Sequence, residues 1–194
     1  MRMPTYEDAV RFHGHSCPGL AIGYRMTVAG LAALGATRSG DEELVAIAEN
    51  DACGVDAVQV VAGCSFGKGN LLFRDYGKPV YTFFSRTTGR GVRVLGHRRG
   101  MPAGLREDRE ARTRWILTAP EADVVSCCEV TVDEPPPARV FHSVPCAACG
   151  EPVMETRLRE VNGRRLCIPC AASARGRREK AESENESWRN ESLP

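Results

Sequence analysis

Lysine is nearly missing from this chain. It occurs only at positions 68, 78 and 180, and arginine supplies the rest of the 26 basic residues. That imbalance reflects coding bias and carries no functional weight. Net charge is almost absent too, +1 over 194 residues, so global electrostatics do not point to nucleic acid or to a membrane surface. No apolar run approaches the roughly 20 residues a bilayer span needs. The first residues, Met1-Arg2-Met3-Pro4-Thr5-Tyr6-Glu7-Asp8, hold no apolar signal-peptide core. These absences predict a cytoplasmic protein. There is no solenoid-type repeat. Hydrophobic residues at 42% and charged residues at 26% fit an ordinary globular chain.

Cysteine, in contrast, is plentiful. Nine in a reducing compartment favour metal or redox chemistry over a disulfide scaffold, and an odd number cannot pair completely. Four of them form Cys146-x2-Cys149 and Cys167-x2-Cys170, separated by residues 150–166. Each C-x2-C turn can set two thiolates on one edge of a tetrahedron. The intervening segment need only form a hairpin, and Asn162-Gly163 is a preferred type I′ turn between Val153–Val161 and Arg164–Leu166. This is a structural zinc ribbon. A segment this small has almost no core, so metal binding supplies most of its folding energy, about 10–16 kcal/mol in zinc-finger peptides. Its arginines (157, 159, 164, 165) barely exceed its acids (151, 155, 160), which favours protein docking over nucleic-acid binding.

The other notable stretch is Phe12-His13-Gly14-His15-Ser16-Cys17-Pro18-Gly19. Pro18 suits the first turn of a helix, predicted from Pro18 to Leu34. Cys17 then lies at that helix's N-terminus, where free N–H groups and the helix dipole favour the anionic sulfur that binds metal or attacks an electrophile. Cys53 and Cys64 sit in further glycine-containing loops. His15 and Cys17, with Cys64 as third ligand and Cys53 or His13 as alternates, could hold a second metal with an open fourth position. Without metal, Cys17 would be a nucleophile with His13 or His15 as its base. Asp51 and Asp56 are candidates to orient an imidazole. Lys68 could face an anionic substrate; its loop has one residue too few for a phosphate-binding P-loop. Between Arg86 and Arg114 nine arginines face three acids, by default a solvated surface. Cys127-Cys128 make a poor chelating pair and read as packing residues.

The remaining elements are read as a helix Tyr6–Phe12 capped by Thr5, a buried strand Leu44–Ala48 and a helix Val55–Ala62. A hairpin of Leu71–Asp75 and Val80–Ser85 through Gly77-Lys78-Pro79 follows, then a strand Gly91–Leu95, a helix Leu105–Leu117 and a strand Val124–Val132. The small residues of the Pro18–Leu34 helix predict close packing against a helix or a second subunit. The expected fold is α+β, a mixed or antiparallel sheet with packed helices. The expected domains are a core at 1–137, linker and ribbon at 138–172, and a disordered charged tail at 173–194.

The three runs Phe12–Gly19, Glu49-Asn50-Asp51-Ala52-Cys53-Gly54-Val55-Asp56-Ala57 and Gly63-Cys64-Ser65-Phe66-Gly67-Lys68-Gly69-Asn70 resemble the E-subunit family of formylmethanofuran dehydrogenase. Cys149–Arg157 resembles the zinc ribbon of many members. The resemblance covers about Thr5 to Ala172; Cys127-Cys128 match none of its motifs. It implies an α+β core forming an intertwined homodimer, a His/Cys active or metal site, and association with molybdenum- or tungsten-dependent formylmethanofuran dehydrogenase. Nothing here has the size or pattern of that enzyme's pterin-carrying subunit. The preferred expectation is a metal-binding accessory of molybdenum/tungsten or one-carbon enzymes, with catalysis itself left open. The alternative is a zinc-ribbon docking or transcription-associated module with a silent core.

Overall fold

Strand β1 (Leu44–Ala48) is apolar on both faces and buried at four of five positions. Such a strand needs partners on both edges. On one side runs β2 (Leu71–Phe73), parallel to it, and on the other β3 (Val80–Ser85), antiparallel. β4 (Gly91–Gly96) and β5 (Val125–Val130) extend the sheet, giving the order β2-β1-β3-β4-β5. The computed structural model describes residues 2–174; the tail expected from 173 lies, from 175 onward, outside the described residues. Within them the chain divides into two compact units at Ala138/Arg139.

The expected hairpin between β2 and β3 does not form, because β1 lies between them. Residues 74–79 instead pass over the end of β1. Arg74 N–H donates to Ala48 C=O at 2.8 Å, and Lys78 N–H to Glu49 C=O at 3.0 Å. The parallel β1–β2 pair requires a crossover, and α3 (Gly54–Ala62) supplies it.

The helices lie where glycine lets them come close. α1 (Tyr6–His13) starts in a capping box between Thr5 and Asp8 and ends at Gly14 in the left-handed region. α2 (Pro18–Leu34) starts at Cys17 and ends at Gly35, also left-handed. A methyl group on Gly23 would stand 2.2 Å from the Cα of Gly54, so the backbones of α2 and α3 touch there. Gly30 gives the same access to the sheet: its methyl would meet Phe83 at 2.6 Å and Val94 at 2.8 Å. The small residues of α2 are therefore the contact surface, against a helix and a sheet of the same chain. The expected Leu105–Leu117 helix is displaced toward its C-terminal end. A 3-10 turn covers Ala103–Leu105, and α4 runs Arg109–Thr118 because Asp108 accepts from Ala111 N–H and so caps it. A one-turn α5 (Glu121–Val124) precedes β5. Cys127 and Cys128 are both exposed on this edge strand and so are not packing residues.

The proline run after β5 is a strap. Val132 lies against Gly91 at the start of β4, and Ala138 N–H donates to Glu42 ahead of β1. Ala138 also abuts Gly69, ahead of β2. Prolines offer carbonyls but no N–H groups. The guanidinium of Arg86, at the end of β3, answers that shortage by donating to the carbonyls of Pro135 and Pro136, to Glu134 and to Glu42 C=O.

In the second unit β6 (Ser143–Pro145) pairs with β7 (Pro152–Met154), and β8 (Arg159–Val161) with β9 (Arg164–Leu166). The expected single strand Val153–Val161 is interrupted by a 3-10 turn, Glu155–Arg157, because each hairpin carries its own short ladder. Asn162 and Gly163 both take positive φ, as the type I′ turn requires.

Gly23→Ala is expected to cost about 1–3 kcal/mol, the range for overpacking a tight contact. Gly67→Ala, where an added methyl meets nothing within 4 Å, is expected to be close to neutral. Urea denaturation of both variants checks this.

Candidate metal centres

The four ribbon sulfurs converge. Cys146, Cys149, Cys167 and Cys170 place their Sγ atoms within 4.8 Å of one another. The Cys149–Cys167 separation is 4.0 Å, against ~3.8 Å for two sulfurs bound tetrahedrally at the Zn–S length. The set suits a cation. Backbone N–H groups of Cys149, Cys167 and Ala148 draw the Cys146 thiol down to about 6, while the adjacent sulfurs, Cys167 foremost, push Cys170 up to about 12. Four thiolates this close are mutually repulsive until a divalent ion neutralises them. Around them the unit buries little: Leu166 and Ala171 beside Cys146 and Cys167.

The second centre is built from the N-terminal motif. α1 ends at His13, Gly14 turns the chain, and Cys17 becomes the N-cap of α2, its Sγ accepting from Leu20 N–H at 3.3 Å. Cysteine is a weak choice for an N-cap, where serine, threonine or aspartate serve better. His13, His15 and Cys17 bring ligand atoms within 4.8 Å of one another. The two imidazoles have centroids 4.6 Å apart. Sγ of Cys17 lies 3.9 Å from Nε2 of His13; the edge of a zinc tetrahedron between sulfur and nitrogen is ~3.6 Å.

The other ring nitrogen of His13, Nδ1, lies 2.7 Å from a carboxylate oxygen of Asp56, in the first turn of α3. That contact assigns the proton to Nδ1 and leaves the Nε2 lone pair aimed at the sulfur. Of the two aspartates considered as orienting groups, the structure brings Asp56 to an imidazole. Gln59 N–H donates to the other Asp56 oxygen at 3.1 Å and steadies it.

Cys53 caps α3 beside this corner. A methyl on Gly19 would lie 3.2 Å from Cys53 Cβ, 3.6 Å from its sulfur and 3.9 Å from the sulfur of Cys17. The bare Gly19 thus lets the starts of α2 and α3 meet and sets the two thiols side by side. Desolvation, and then the neighbouring Cys17, push the Cys53 thiol up. Cys53 is exposed, whereas Cys17 is buried.

The structure does not bring Cys64 or Lys68 to the corner, and the expected ligand set is corrected accordingly. Cys64 is fully buried; its thiol donates to Leu44 C=O at 3.4 Å, and burial pushes it up to about 12. Lys68 does not face a substrate: its ammonium donates to the carbonyls of Ser39, Gly40 and Asp41. Buried Asn70 completes this clasp by donating to Asp41 and Leu44 C=O while accepting from Ser65 N–H. The Gly63–Asn70 run ties two loops together, and the third ligand in place of Cys64 is His13. Nor do the arginines that follow β3 gather into a basic surface. Arg86 holds the strap, Arg90 pairs with Glu129, and Arg93 pairs with Glu49 at 3.3 Å.

A cavity of about 400 Å³ opens beside His13, Asp56 and Cys53. Phe66 and Phe73 line it and are both exposed. Their role was not legible in the sequence, because a lone aromatic in a glycine loop has no periodicity to place it. Tyr6, also missed, hydrogen-bonds Ser16 at 2.9 Å and so braces the loop between the two histidines.

Comparison with known proteins gives four findings. The family described as "FmdE, Molybdenum formylmethanofuran dehydrogenase operon" matches residues 12–126. The prokaryotic dksA/traR C4-type zinc finger matches residues 139–175. A protein of Archaeoglobus fulgidus named "Probable S-adenosyl-L-methionine-binding protein" is 33% identical over 195 aligned residues, which cover 85% of this chain and 52% of that protein. The chain therefore spans about half the length of this curated relative. The crystal structure of an FmdE-like protein of tungsten formylmethanofuran dehydrogenase, from Syntrophus aciditrophicus, superposes with a TM-score of 0.66 at 26% identity, covering 89% of this chain and 98% of that one. No helix among the described residues is long and apolar enough to cross a membrane.

Chelation of the full chain is expected to abolish amide protection in β6–β9 while leaving β1, β3 and β4 protected. The ribbon has little apolar burial of its own, whereas the sheet is packed around Phe83 and Val94. Hydrogen exchange with and without chelator reads this directly.

Proposed function

The chain belongs to the FmdE family, and on that premise we propose that it carries two metal ions. One is zinc at Cys146, Cys149, Cys167 and Cys170. The other is a transition-metal ion at His13, His15 and Cys17. Convergence of those three donors, with Asp56 on the far nitrogen of His13, carries the second assignment. A thiolate and two imidazoles suit zinc, and also iron, nickel or copper. Three protein ligands and an open position make a Lewis-acid centre rather than a closed structural one.

The residues around it have separable tasks. Asp56 holds His13 in one tautomer and fixes the ring plane. Leu20 N–H and the start of α2 stabilise charge on the Cys17 sulfur. Cys53, beside Cys17 and lining the cavity, is a neutral thiol that can give a proton to a group bound there, or serve as a fourth ligand. Phe66 and Phe73 present apolar surface to the remainder of such a ligand.

On this reading the protein is a cytoplasmic, metal-binding accessory of molybdenum/tungsten or one-carbon enzymes, acting as a homodimer. The exposed Phe12, Phe66, Phe73 and Tyr76 support the dimer, since a second copy would remove them from water. Docking on a partner enzyme, in preference to nucleic acid, falls to the ribbon.

One observation favours a second reading of the same corner. Cys17, His13 and Asp56 stand in the order of a nucleophile, base and orienting acid. His15 separates the two, because a metal needs its nitrogen and a thiol nucleophile does not.

Serine is a better N-cap than cysteine, so Cys17→Ser keeps the helix start and removes the soft ligand. Elemental analysis is expected to find two metal equivalents in the native chain and one in Cys17→Ser and His15→Ala, with the circular dichroism unchanged. Asp56→Asn is expected to weaken the core metal by about 10–100-fold. One equivalent in all four proteins would end the metal reading of the corner. Activity lost in Cys17→Ser but kept in His15→Ala would favour the nucleophile.

A further inference from the structure

A second hollow, of about 560 Å³, opens on the His15 side of the corner, and α4 forms its other wall. From the corner it takes His15 and Ser16; from α4 it takes Arg109, Glu110 and Arg114. We infer that this hollow is a carboxylate-binding subsite, which holds the anionic end of a small organic ligand whose other end reaches the metal corner. The inference rests on the reading of that corner as a metal centre and names the chemical class of what approaches it.

Two arginines are available to an anion here. Most arginines of this unit are already committed. Arg25 donates to backbone carbonyls, Arg86 holds the strap, and Arg11, Arg90 and Arg93 pair with acids. Among the described residues the guanidiniums of Arg109 and Arg114 enter none of the ion pairs. Both line the hollow. A guanidinium is a planar fork of donors that matches a carboxylate with two parallel bonds.

The wall that carries them is held in place. Arg25, on α2, donates to the carbonyls of Ile116, Leu117 and Ala119 at 2.9 Å each, the last turn and C-cap of α4. Thr113 and Ile116 of α4 are buried. α4 is thereby fixed to the helix that begins at Cys17. Ser16, on the opposite wall, has its hydroxyl braced by Tyr6 at 2.9 Å. An anion between the walls would meet donors whose positions are set before it arrives.

Local charge selects the kind of anion. Glu110 shares the wall, so two guanidiniums face one carboxylate and the surplus is a single positive charge. That suits a monoanion, while a phosphate dianion would meet Glu110 unfavourably. The volume lies in the range of small-ligand sites. Since His15 lines this hollow and His13 the cavity with Phe66 and Phe73, the corner stands between a basic mouth and an apolar one. A ligand with a carboxylate at one end and an apolar body fits that polarity.

The test uses the full chain, with and without added zinc, titrated with acetate and separately with inorganic phosphate. Arginine Nε–Hε resonances report on occupancy whether or not the corner holds metal. Acetate is expected to shift Arg109 and Arg114 along saturable curves and to leave Arg90, which pairs with Glu129, unmoved. Arg114→Gln is expected to weaken acetate at least fivefold. Glu110→Gln is expected to strengthen phosphate more than acetate. Linear, unsaturated shifts shared equally by Arg90 would overturn the subsite, as would unchanged acetate affinity in Arg114→Gln. Saturation by acetate in a chain that takes up no core metal would keep the subsite and remove the metal reading. Core metal uptake without acetate saturation would do the reverse.

Discussion

Everything at the core site depends on two backbones touching. α2 and α3 cross where Gly23 meets Gly54, at a distance no side chain would allow. Glycine costs helix stability, roughly 1 kcal/mol in an interior position. Here that cost permits a crossing that brings the first turns of two helices together. Cys17 starts one and Cys53 the other. Asp56, in the first turn of α3, then lies within reach of His13 at the end of α1. Move the crossing outward by the width of a methyl group and the carboxylate, imidazole and thiols separate. The corner is a consequence of packing before it is a matter of chemistry.

The two sulfur-rich sites show opposite balances between fold and metal. In the ribbon the local ladders are three residues long and the apolar core is small. There the ion is part of the fold, as for other small zinc modules. The corner sits on a five-stranded sheet with its own core, so its ligands are placed whether or not an ion is bound. An ion added to a prepared, three-ligand site keeps a position open for a substrate or for water. The prolyl strap, stapled by Arg86, finishes this independent unit before the ribbon begins.

Much of this was legible in the sequence where the signal is local. The Cys-x2-Cys spacing, the Asn162-Gly163 turn, the Pro18 start and the Thr5 cap each act within a few residues. Helix α2 and strands β1, β3 and β4 follow from apolar pattern and glycine stops. Failures came where the decisive contact is distant. The parallel pairing of β2 with β1 depends on the need of a fully apolar strand for two neighbours, and no turn announces it. Cys64 and Lys68 share a glycine loop that looks like a site, yet their partners are the carbonyls of residues 39–44, far back in the chain. His13 entered only as an alternate ligand because nothing local shows that Asp56 fixes its tautomer. The short 3-10 turn and cap before α4 hid the wall that faces His15.

Whether the corner is a metal centre decides the rest, and anomalous scattering tests that most directly. Crystals of the native chain grown with zinc, measured on both sides of the zinc absorption edge, should give two anomalous peaks per chain. One should lie among Cys146, Cys149, Cys167 and Cys170, and the other between His13, His15 and Cys17, with Asp56 still on the far nitrogen of His13. A single peak, at the ribbon alone, would contradict it.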